Sequence, residues 1–139
     1  MAAANMNMTR ISRRGDWIGG RRGETSRMAA TRSLFWFRRD LRLGDNPALA
    51  AAARDGAVIA LFVLDPALLL PAGPPRVAYL LRSLRLLREQ IEDRGGSLLV
   101  RAGRPEQEVA RVARECAAGS VHIAADFAPY GRERDQRVE

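Results

Sequence analysis

From residue 33 onward, four strand-sized apolar runs alternate with helix-length amphipathic stretches, and this alternation is the strongest constraint on the fold. The runs cover residues 33–37, 57–64, 97–101 and 120–125. The second is apolar throughout, as a strand covered on both faces should be. Helix signals lie between the runs. Asn46-Pro47 opens the first helix, with Asn46 as N-cap, and Gly56 stops it after residue 55. Residues 66–75 hold Pro66, Pro71, Gly73, Pro74 and Pro75 and read as a loop. The next helix spans about 75–94, where Val77, Leu80, Leu81, Leu84, Leu87 and Ile91 form one buried stripe. Pro105 opens another, with Glu106 and Glu108 in its first turn. A last helix is expected near Tyr130. Strands that alternate with helices predict an α/β fold, a parallel sheet with helices on both faces.

The first 32 residues break this pattern. They have no hydrophobic period, are rich in Gly and Arg, and read as a disordered basic extension preceding one domain over 33–139. The formal charge of +7 is concentrated there: residues 1–32 carry +5 and the remainder +2. All 23 basic residues are Arg, and with a net of only +2 the domain itself shows no strong single-sign footprint for nucleic acid. Ser12-Arg13-Arg14 lacks the apolar segment that an export signal needs. No run approaches the length of a membrane-spanning helix. Cys116 is the single cysteine, which excludes an internal disulfide and suits a reducing, cytoplasmic setting. One His and one Cys build no metal site, and both His122 and Cys116 read as packed side chains.

Enzyme signatures are also missing. The first strand is followed by no Gly-x-Gly-x-x-Gly, and there is no Walker segment, nucleophile elbow or Cys-x-x-Cys. Instead, Leu34-Phe-Trp-Phe-Arg-Arg-Asp-Leu-Arg-Leu-Gly-Asp-Asn-Pro47 carries a buried strand into a loop crowded with charge. That loop lies on the edge where open α/β sheets hold ligands. Three further blocks follow: Leu61-Phe-Val-Leu-Asp-Pro66, Pro75-Arg-Val-Ala-Tyr-Leu80 and Asp126-Phe-Ala-Pro-Tyr-Gly-Arg-Glu-Arg-Asp135. In order and spacing the four blocks resemble the amino-terminal domain of the DNA photolyase/cryptochrome family, class I cyclobutane-pyrimidine-dimer photolyases in particular.

The resemblance implies a Rossmann-like unit that holds a light-harvesting antenna chromophore. It implies a larger helical domain downstream that binds FAD and damaged DNA and splits the dimer, with the full-length protein a monomer. The chain stops at Glu139 inside a charged segment, so a truncated product lacking a fifth strand is expected, inactive in repair by itself. The resemblance also implies a pocket for 8-hydroxy-5-deazaflavin formed by Val63, Arg76, Val77, Ala78 and Asp126, with folate or flavin as other candidates. Folate-carrying members have an Asn-x-Glu pattern where this chain has Ala124-Ala125-Asp126. Backbone N–H groups at the helix start near Arg76 are expected to hold polar ring atoms, with Arg76 stacked on the ring and Asp126 accepting from a ring N–H.

Simpler roles compete at each position. Arg76 could be a solvated first-turn residue, Asp126 a helix cap, and Val63 core. The charged cluster from Arg38 to Arg42 is expected to form internal ion pairs and to contact the downstream domain rather than DNA. A cryptochrome, or a free-standing nucleotide-binding α/β protein, would share the fold.

Overall fold

The computed structural model describes residues 31–124. Residues 1–30 of the basic extension expected over 1–32, Asp126 and the helix expected near Tyr130 lie outside the described residues, while Arg32 already belongs to the first strand. Eight elements follow in order: β1 (Arg32–Phe37), α1 (Pro47–Asp55), β2 (Ala57–Leu64), α2 (Pro66–Leu69), α3 (Pro74–Glu92), β3 (Leu98–Ala102), α4 (Pro105–Glu115) and β4 (Ser120–Ile123). The strands form one parallel sheet in the order β3-β2-β1-β4.

Each described helix starts on proline, whose missing N–H costs nothing at the first helical position. Asn46 caps α1 as its sequence predicts: its side-chain Oδ1 accepts from the Leu49 N–H at 3.1 Å. The segment read as a loop contains a short helix, α2. Asp65 caps it by accepting from the Ala67 N–H at 2.9 Å, and Pro66 supplies the first helical position. Four residues are too few to show a hydrophobic period, so the helix was not legible by that signal.

Two apolar cores flank the sheet. Phe35, Phe37, Val58, Ala60, Phe62 and Leu98 face α1 and α3, meeting Leu49, Ala52, Leu84, Leu87 and Ile91. Leu34, Trp36, Ile59, Leu61 and Val63 face α4, meeting Val109, Val112 and Cys116. Handedness explains the division. The chain steps from β1 to β2 to β3 in one direction, then returns to place β4 on the far side of β1. Right-handed crossovers therefore put α1 and α3 on one face and α4 on the other.

The start of β2 needs a residue without a side chain. Gly56 has φ +154°, and a Cβ there would lie 1.8 Å from the Thr31 carbonyl oxygen. That same oxygen accepts from the Ala57 N–H at 3.0 Å.

Candidate functional site

The order of strands reverses at β1, so the switch point lies between the carboxyl ends of β1 and β4, where open α/β sheets place ligands. Here Arg38 occupies it. Its guanidinium lies 5.1 Å from the centroid of the buried Trp36 ring, and Nη2 donates to the Ala124 carbonyl. Arg38 thus joins the ends of β1 and β4 and covers the aromatic core beneath. The loop that follows holds an exposed ion pair, Arg42 Nε to Asp40 Oδ1 at 2.9 Å, worth little in water. Its end is tied down by Asn46, whose Nδ2 donates to the Arg42 carbonyl at 3.2 Å. The Arg42–Asp40 pair is an internal ion pair of the kind expected of this cluster, whereas Arg38 here meets a ring and a backbone carbonyl.

Next to this loop, along α1, lies a cavity of about 280 Å³ lined by Leu43, Asp45, Asn46, Pro47, Leu49, Ala50 and Ala53. Among the described residues, none of the positions implied by the family resemblance (Val63, Arg76, Val77 and Ala78) lines it. Arg76, Val77 and Ala78 come together on the first two turns of α3. Arg76 and Ala78 are exposed, and Val77 is half-buried. Val63 is buried at the end of β2, with its side chain in the core on the α4 face. The sheet therefore separates the Val63 side chain from the helix that carries Arg76.

The start of α3 corrects one expectation. Pro74 and Pro75 have no N–H, and the Arg76 and Val77 N–H groups both bond the Gly73 carbonyl, at 3.0 and 3.3 Å. A helix start normally leaves its first donors open. This one offers no spare backbone donor in its first four residues. What remains for an anionic ring is the Arg76 guanidinium, which joins no salt bridge among the described residues, and the room left by the small Ala78. The two prolines carried this information in the sequence, because neither can donate.

The opposite rim holds a cluster that sequence reading missed. His122 Nε2 lies 2.8 Å from Asp55 Oδ2 and 3.1 Å from Ser120 Oγ. Ser, His and Asp suggest nucleophile activation, but here both oxygens meet the same ring nitrogen. A catalytic triad needs the serine and the carboxylate on opposite nitrogens. The contact instead ties the last residue of α1 to β4. Nearby Cys116 is equally unsuited to chemistry: burial, reinforced by Glu115, pushes its thiol pKa up, against the opposing pull of Arg32 and Arg101. Among the described residues there is no group of three His, Cys, Asp or Glu that could hold a metal, and no helix is long and apolar enough to cross a membrane.

The DNA photolyase family model matches residues 33–139. The deoxyribodipyrimidine photo-lyase of Synechococcus sp. is 44% identical over 108 residues, a match that covers 76% of this chain and 22% of that protein. Among solved structures, the class III photolyase of Agrobacterium tumefaciens superposes with a TM-score of 0.73 at 31% identity, over 81% of this chain and 23% of that one. A cryptochrome of Synechocystis sp. superposes with the same TM-score at 27% identity, over 78% and 24% of the two chains. This chain thus spans less than a quarter of each relative's length. The sheet with its two helical layers matches the amino-terminal α/β part of those proteins, and the chain belongs to the DNA photolyase family.

Proposed function

We propose that this chain is the antenna-chromophore part of a light-dependent deoxyribodipyrimidine photolyase that repairs cyclobutane pyrimidine dimers in DNA. The observation that carries this reading is the 44% identity to a deoxyribodipyrimidine photo-lyase over 108 residues, alongside a family match over residues 33–139. FAD binding, contact with damaged DNA and dimer cleavage are assigned to a separate helical domain, in a monomeric cytoplasmic protein. With 8-hydroxy-5-deazaflavin bound, the unit would supply light absorption and energy transfer.

The chromophore is assigned to the carboxyl rim. Arg76 pairs with or stacks on the ring, which suits a planar delocalised cation. Ala78 leaves space beside it, Val77 contributes apolar contact, and Asp126 accepts a hydrogen bond from a ring N–H. Val63 supports the rim from beneath, through the packing of β2 on α4. Flavin or folate at the same rim is the alternative content. The division into a basic extension over 1–32 and a domain over 33–139 belongs to the same proposal.

Asp126→Ala in the full-length protein tests the assignment. The expected outcome is loss of near-UV and blue antenna absorbance with FAD content unchanged. Antenna absorbance equal to wild type would remove Asp126 from the site. The cryptochrome superposition supports a second reading, light signalling without repair. Full-length protein that holds FAD yet fails to split dimers under blue light would establish that reading over repair.

A further inference from the structure

The outer face of α3 breaks the rules that a solvated helix follows. Tyr79 and Leu86 are 73% and 54% exposed, and Leu81 is 49% exposed. Tyr79 and Leu86 stand seven residues apart, so they share one stripe, turned away from the buried Leu84, Leu87 and Ile91. Arg82 borders that stripe and Arg85 lies beyond it, while Arg88 stands on the far flank, seven residues from Leu81; all three are exposed. No acid occurs on α3 before Glu89. None of these arginines joins a salt bridge among the described residues, although Glu89 and Glu92 follow Arg85 and Arg88 at four-residue spacing. That order, with the cation nearer the amino end, is the weaker one for a helical pair. The charges also oppose the macrodipole, with arginines towards the positive end and Glu92 and Asp93 at the negative end. Local stability does not account for this arrangement. Where local rules are broken together, function is the usual reason.

We propose that the outer face of α3 is a docking surface for an acidic amphipathic helix of a separate partner protein. Such a helix, laid along α3, seats an apolar side chain between Tyr79 and Leu86 and brings carboxylates to Arg82 and Arg85 on the flank. Exposed aromatic residues and arginines are the residue types that most often anchor interfaces. Nucleic acid would satisfy the arginines and could stack on Tyr79. It would leave Leu86 in water, and a convex helix offers a single strand no channel to follow.

The test uses the 139-residue chain and fluorescence anisotropy with three labelled probes. One is an amphipathic peptide of about three heptads with Leu at the core positions and Glu on the flanks. The second is a shuffled peptide of the same composition, and the third is an oligothymidine. The amphipathic peptide is expected to bind saturably and the shuffled one at least about tenfold more weakly. Tyr79→Ala with Leu86→Ala is expected to weaken binding by about tenfold or more. Arg82→Glu with Arg85→Glu should do the same and remove the salt dependence. All four positions are exposed, so the far-UV circular dichroism of both variants should match wild type. Equal binding of the two peptides, tighter binding of oligothymidine, indifference to both double substitutions, or consumption of the face by dimerisation of this chain would each overturn the proposal.

Discussion

Helices α3 and α4 cover opposite faces of the same sheet, and they are built to different standards. In α4, Glu106 and Glu108 occupy the first turn and Arg114 the last, so its charges follow the macrodipole. No large apolar residue of α4 is exposed. In α3 the charges run against the dipole, and Tyr79, Leu81 and Leu86 face outward. Both helices bury a good inner stripe, so the difference does not arise from the sheet. A helix that only closes a core can keep its charges with the dipole and its large apolar residues inside, as α4 does. One that also meets something outside the domain cannot, and the departures in α3 fall where the proposed rim and docking face lie.

The sharpest way to break this comparison contrasts neighbouring leucines of α3. Leu87 is 1% exposed and Leu86 54%. Leu87→Ala should lower stability by about 2–5 kcal/mol in urea unfolding. Leu86→Ala should change it by less than about 0.5 kcal/mol. Similar losses at the two sites would mean that the outer face is already packed.

The helix ends sharpen the contrast. Both close with the same bond, Gly96 N–H to the Ile91 carbonyl at 3.0 Å and Ala118 N–H to the Ala113 carbonyl at 2.9 Å. The residue with positive φ is Gly95 (φ +80°) in α3 but Ala117 (φ +49°) in α4. Gly95→Ala should therefore destabilise by about 1–2 kcal/mol. Ala117→Gly should stabilise by about 0.5–1 kcal/mol, partly offset by the freer unfolded chain. Opposite signs in thermal melts are the outcome to look for.

A smaller effect separates stability from binding. Arg76→Glu puts an acid at the positive end of α3 and should raise stability by about 0.3–1 kcal/mol. The same change should abolish antenna binding, because it removes the proposed ring partner. A variant that melts higher and still binds would show that Arg76 is a bystander.

The smallest effect is a pH dependence on the α4 face. The folded state holds the Cys116 thiol pKa above its usual value. Above the ordinary thiol range the unfolded chain loses that proton while the folded chain keeps it. This contribution is therefore complete at neutral pH and is lost as pH rises toward the folded pKa. Cys116→Ala should flatten that part of the stability profile, measured against wild type.

Much of the fold was legible because its signals are local. The apolar run over β2, the Asn46 cap and the inner stripe of α3 each fall within one stretch of chain, although Leu81, expected in that stripe, is 49% exposed because its helical position lies outside the arc of Leu84, Leu87 and Ile91. The Ser120, His122 and Asp55 cluster was not legible. It joins residues 67 apart in sequence and exists only because β4 lies beside β1. The same order of strands puts Arg38 against the Ala124 carbonyl, which no periodicity announces. At the candidate site the residue types around Arg76 stood out through the family resemblance. Their placement depended on which face of β2 carries Val63, and the alternation of a fully apolar strand cannot specify that.

Chromophore binding by this chain itself tests the central claim most directly. Purified 139-residue protein is titrated with 8-hydroxy-5-deazaflavin and followed by the chromophore's fluorescence polarisation. Saturable one-to-one binding that is lost in both Arg76→Ala and Asp126→Ala is the predicted result. No saturable binding, or binding that survives both substitutions, would contradict it.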